Sequence, residues 1–158
     1  MNIDRKPPRL AAGERETLMT LWQYQRESVV RKVEGLDSET TSRRLVDSGT
    51  TLLWLVRHLA RAESLWILGR FAGEHGRVPD DAEPPNDTIE AAVADYRATW
   101  TRIDDVVNAH DLDELARGDD MTPTVNLRWI VAHLLEETAR HAGHADILRE
   151  QIDGQLGR

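Results

Sequence analysis

Three side chains of the kinds that hold transition metals stand where helices should form: His58, Glu137 and His141. Glu137 and His141 are four apart in the stretch HLLEETARHAGHADILRE, residues 133–150, and on a helix that spacing puts both on one face. Imidazole and carboxylate together suit zinc, nickel, iron or manganese, and the residue types alone do not choose among them, although zinc and nickel are the expected metals. Two histidines and one carboxylate leave coordination positions open for water or substrate, as in catalytic rather than sealed sites. His133 and His144 share the stripe. At about 100° per residue they and His141 lie within about 40° of Glu137. Either is a candidate catalytic acid–base residue or an orienting neighbour of the ligands.

The same stripe continues as Ile130 and Leu148, so it is expected to point into a core. A carboxylate buried there alone carries a heavy desolvation penalty or a large pKa shift, and a shared cation removes that problem. His58 falls on the apolar side of its own segment, among Thr51, Trp54, Leu55, Ala62 and Leu65, with Arg57 and Glu63 turned well away. Simpler readings stand beside this one. A lone inward histidine is often a hydrogen-bonded core residue, and Glu137 with His141 can be an intrahelical salt-bridged pair. Arg140, at the stripe's edge, could meet an anionic substrate group, but a salt bridge to a neighbouring helix is the favoured reading. The tryptophans read as core and core-edge residues, although Trp54, one turn before His58, could wall a pocket. His75 and His110 lie in expected loops and are assigned nothing.

Four helical segments must position these groups. The first runs from about Glu14 to Gly35, with Leu18, Leu21, Trp22, Val29, Val33 and Leu36 as its core stripe. The second spans about Thr51 to Phe71 and stops at Gly73. The third begins near Asp87, where Asp87 and Glu90 resemble a capping box, and ends near Asn108. The fourth spans about Pro123 to Asp153, with Thr122 as N-cap, Pro123 as first helical residue and Gly154 as the stop. Between the second and third lies GEHGRVPDDAEPPND, rich in Pro, Gly and Asp and expected to be a long exposed connection. The link DLDELARGDDMTPT before the fourth is expected to be irregular, and the acidic pairs at 80–81 and 119–120 to be solvated loops. The expectation is an all-α four-helix bundle with long connections between helices two and three and between three and four.

With 158 residues the chain is expected to form one domain, 1–158. A formal charge of -8 speaks against nucleic acid, whose phosphates need a basic face. No apolar run approaches the roughly 18 residues of a membrane span, and MNIDRKPPRLAAGER lacks the apolar stretch of a signal peptide. A cytoplasmic protein is expected. The chain has no cysteine, which removes disulfides, thiolate ligands and a protein thiol nucleophile. Any thiol chemistry needs a thiol from outside.

Three phrases resemble the DinB-like superfamily of four-helix metalloproteins: LWQYQRESVVRKVEGL, TTLLWLVRHLARAE and LRWIVAHLLEETARHAGHADILREQIDG. The likeness is to an uncharacterised actinobacterial branch, related to mycothiol-dependent maleylpyruvate isomerase-type proteins. It implies a metal on one histidine of helix two and two residues four apart on helix four, positions that match His58, Glu137 and His141. Many members have histidine where Glu137 stands, whereas the isomerase-like branch has glutamate. Many relatives also carry glutamine where this chain has His144. Relatives with assigned activity resemble transferases or isomerases that use mycothiol, bacillithiol or glutathione. The resemblance therefore implies a divalent metal, a low-molecular-weight thiol such as mycothiol, a small electrophilic substrate and a possible homodimer. A metal-dependent hydrolase, with Glu136, His133 or His144 as base, and a non-catalytic metal-binding bundle are the rival readings.

Overall fold

The structure is a computed structural model in which residues 6–79, 87–118 and 122–156 are described. Its elements are α1 (Glu14–Arg31), a single turn α2 (Ser38–Thr41), α3 (Leu52–Ser64) continued by a π-helical stretch (Leu65–Phe71), α4 (Ile89–Ala109) and α5 (Leu127–Asp153). A 3-10 turn, His75–Arg77, lies in the connection to α4. Among the described residues the only β pairing is an isolated bridge between Leu115 and Asn126. The expected acidic loops at 80–81 and 119–120 lie outside the described residues.

Each long helix after the first starts on a side-chain cap that takes an otherwise orphaned backbone N–H. Thr51 accepts from the Trp54 N–H, Thr88 from Ala91 and Asn126 from Trp129. One expected cap and one expected start therefore move. Asp87 does not cap α4, because its carboxylate is held by the Arg57 guanidinium from α3 (Nε–Oδ2 2.8 Å). Thr122 and Pro123 do not open α5. The segment before Asn126 instead pairs with 114–116, through Ala116 N–H to Val125 O and Leu127 N–H to Glu114 O, each 2.9 Å. Helix α1 also stops before Gly35, and Arg149 of α5 donates to the Lys32 and Glu34 carbonyls at its end (3.0 Å each). Gly154 ends α5 as expected, at φ 74, a conformation that glycine enters without penalty.

The apolar core falls into two clusters along the bundle. One joins Val29 and Val30 of α1, Leu52, Leu55 and Leu59 of α3, Ala92 and Tyr96 of α4, and Ala145 and Leu148 of α5. The other joins Trp22, Ile67, Leu68, Phe71, Ile103, Val107, Leu127, Ile130 and Leu134. In chain order α1 and α5 pass from the second cluster to the first, while α3 and α4 pass from the first to the second. The bundle is thus up, down, down, up. Because α3 and α4 run the same way, the chain must travel back along the bundle between them, and this is why that connection is long.

A buried polar layer separates the clusters. Arg26 of α1 donates to Glu63 of α3 through Nε and Nη2 (2.8–3.3 Å), and both side chains are fully buried. The Tyr96 hydroxyl donates to Glu63 at 2.8 Å, Arg26 also reaches Asp104, and its guanidinium lies 3.7 Å over the Trp22 ring. Burial pushes the Glu63 carboxyl up, against the downward pull of Arg26. The Trp22 indole N–H completes the layer by donating to Thr138 of α5 at 3.1 Å. Arg26 and Glu63 are charged residues that no apolar periodicity marks as core.

Candidate metal centre

Thr138 fixes the height of the site, because its neighbours on α5 are Glu137 and, one turn on, His141. From α3, capped by Thr51, His58 approaches the same point. Its Nε2 lies 3.4 Å from Glu137 Oε1, and His141 Nε2 lies 3.0 Å from the same oxygen. The donor atoms of His58, Glu137 and His141 all lie within 4.8 Å of one another, and among the described residues they are the one such group. The geometry can be tested against what a cation needs. Ligands about 2.1 Å from one ion, at angles between octahedral and tetrahedral, sit about 3.0–3.4 Å apart. Both separations from Glu137 Oε1 fall in that range.

Protonation is also favourable. Burial, outweighing the Glu137 carboxylate beside it, holds the His141 imidazole below its ordinary pKa, so it is neutral at pH 7. Burial alone would raise Glu137, but hydrogen bonds from His141 and His58 prevail and keep its carboxyl below the ordinary range. Glu137 thus offers a carboxylate and His141 a neutral imidazole, the forms that bind metals once the His141 ring turns its unprotonated Nε2 to the cation.

The site is a rim, not a centre. The side chains of His58, Glu137 and His141 are 31%, 21% and 12% exposed, so the ionisable middle of the stripe runs along the edge of the core while its ends, Ile130 and Leu148, are buried. Trp54, 39% exposed, stacks on the His58 ring at 4.6 Å between centroids and 11° between planes. It walls the site, as its position one turn before His58 anticipates.

The two further histidines part company. His144 joins the group: its Nδ1 lies 3.3 Å from His141 Nδ1. A His141 that offers Nε2 to a cation carries its proton on Nδ1, and His144 Nδ1 is placed to accept it. Metal-bound histidines are characteristically oriented by such a bond. His133 instead stacks on Trp129 at 5.0 Å and meets Trp66 edge-on at 4.9 Å. Arg140 bonds Glu136 at 3.1 Å and approaches Glu137 at 3.8 Å. Its partners are on its own helix, contrary to the expected salt bridge to another. Trp129 is 46% exposed, so not every tryptophan is core.

Two solved structures share the fold. A conserved protein from Enterococcus faecalis superimposes with a TM-score of 0.70 at 14% identity, covering 92% of this chain and 100% of its own. A DinB-like protein from Bacillus cereus does so with a TM-score of 0.69 at 17% identity, covering 90% and 95%. No curated protein matches in sequence. The all-helical architecture is thus the DinB-like one. The mycothiol-S-transferase family model matches residues 17–154, and the chain therefore belongs to that family.

Proposed function

We propose that this protein is a metal-dependent transferase that joins a low-molecular-weight thiol of the mycothiol type to a small electrophile. The observation that carries the reading is the convergence of His58 Nε2 and His141 Nε2 on one oxygen of Glu137, 3.4 and 3.0 Å away. Family membership supplies the reaction class, and the absence of cysteine requires the sulfur to arrive with a cofactor.

In this reading His58, Glu137 and His141 would hold a divalent cation, for which zinc and nickel are the first candidates. Its charge favours the thiolate of an incoming thiol over the thiol at neutral pH. The residues do the rest. Trp54 keeps the His58 ring in its plane, and the His144 bond sets the His141 tautomer. The thiol proton leaves to solvent, and the sulfur electron pair forms the new bond to the electrophilic carbon. The displaced electron pair leaves with the departing group, or passes to the neighbouring atom in an addition. His144, accepting at Nδ1, bears its own proton on Nε2 and can donate a hydrogen bond from it to that atom as charge develops, while the proton that atom takes up comes from solvent. His133, between Trp66 and Trp129, is the less well positioned of the two candidates and would act on a more distant part of the ligand.

The test has two arms. Elemental analysis of purified protein is expected to find a divalent metal in the wild type and little in His58→Ala. Turnover of an electrophile panel is expected only with added thiol. Metal-free wild type overturns the site, and thiol-independent turnover makes the protein a hydrolase.

A further inference from the structure

Beside the metal centre a cavity of about 210 Å³ opens between the C-terminal half of α5 and the loop that leads into α3, lined by Val46, Ser48, Thr50, His144, Ile147 and Leu148. We propose that this cavity is the acceptor subsite, and that it takes a small, uncharged, largely apolar molecule bearing one hydrogen-bond acceptor such as a carbonyl oxygen. Only the word acceptor rests on the transferase reading; the ligand class rests on the cavity walls.

Three features fix the class. The first is size: about 210 Å³ falls below the roughly 300 Å³ at which drug-sized pockets begin, which admits a ring or short chain but not a whole sugar-bearing thiol. The second is charge. No Asp, Glu, Lys or Arg lines the cavity, so a charged group pressed against Ile147 and Leu148 gives up water there and finds no counter-charge on the lining. The third is the polar edge. Ser48 Oγ and Thr50 Oγ1 lie 2.9 Å apart and share one hydrogen bond, and the Thr50 N–H adds a longer one to Ser48 Oγ. Two hydroxyls bring two protons, and one is consumed between them. The other remains for a ligand oxygen.

His144 connects this cavity to the chemistry. Its Nδ1 faces His141, and its Nε2 has no hydrogen-bond partner among the described residues. A molecule seated against Ile147 and Leu148 thus lies one imidazole away from the ligand set. A cavity between the end of α1 and the start of α4, with Glu34 and Glu90 in its lining, has no such link.

Ligand-observed NMR tests the proposal, with cyclohexanone and cyclohexanecarboxylate as probes. Purified wild type is expected to bind the ketone and to bind the carboxylate more weakly. Ile147 is exposed, so Ile147→Trp can fill the cavity without touching the core, and it is expected to abolish ketone binding at an unchanged melting temperature. Ser48→Ala/Thr50→Val removes the donors and is expected to weaken the ketone about fivefold, the worth of one ordinary hydrogen bond. His58→Ala is expected to lose metal yet keep ketone binding, which separates this inference from the metal reading. Ketone affinity unchanged in Ile147→Trp, or a preference for the carboxylate, overturns it.

Discussion

Glu137 Oε1 receives both His58 and His141, and the arrangement makes the contribution of each residue separable. His58→Ala removes one proposed ligand outright. His144→Ala leaves all three proposed ligands in place and takes away only the bond to His141 Nδ1. Loss of such an orienting partner lowers metal affinity by about 10–100-fold, and a competitive chelator titration should read a drop in that range, with Trp54 and the helix content undisturbed. A His144→Ala protein with wild-type affinity would show that the 3.3 Å contact orients nothing. Spacing alone exposed these residues: four apart for Glu137 and His141, three for His141 and His144. It did not separate His144 from His133, because both lie on one stripe. What separates them is Trp66 and Trp129, which trap the His133 ring from a different helix and from the turn before.

At the scale of elements, the site depends on where α3 and α5 begin. Asn126 caps α5, and Asn126→Ala is expected to destabilise the fold by about 1 kcal/mol, read as a lower urea midpoint. Asp37 plays the same part for α2, accepting the Thr40 N–H at 2.7 Å. That backbone hydrogen bond holds its carboxyl below the ordinary aspartate value. A depressed folded-state pKa means that its stabilisation is present above the unfolded value and is lost as pH falls through the folded one. NMR titration should therefore find Asp37 ionising below the usual aspartate range, and Asp37→Asn should remove that part of the acid-side slope. The four long helices were readable from periodicity, and Gly154 from its position after the last periodic residue. The cap of α4 and the start of α5 were not. Asp87 offered a cap but is claimed by Arg57, and Pro123 offered a first turn but its neighbours pair with 114–116. The π-helical continuation of α3 has no sequence mark at all.

Across the whole molecule, the polar layer of Arg26, Glu63, Tyr96, Trp22 and Thr138 ties all four long helices at the level of the metal centre. Removing one side of a buried ion pair leaves the other uncompensated, at a cost of about 3–5 kcal/mol. Glu63→Ala should lose stability on that scale by urea denaturation, and a loss under about 1 kcal/mol would mean that water reaches Arg26. Among the described residues no helix is long and apolar enough to cross a membrane. The bundle was legible because apolar residues recur at helical spacing, and the candidate site because His58, Glu137 and His141 stand on the same stripes. Its ion pair was not, because a buried charge looks like a solvated one until its partner from another helix is known.

The indole of Trp54 lies flat on His58. Tryptophan emission is sensitive to an open-shell ion at such range, so a cation held at the proposed site would be visible optically. Nickel loading should dim the Trp54 contribution while zinc leaves it bright, and Trp54→Phe should erase the difference between the two titrations.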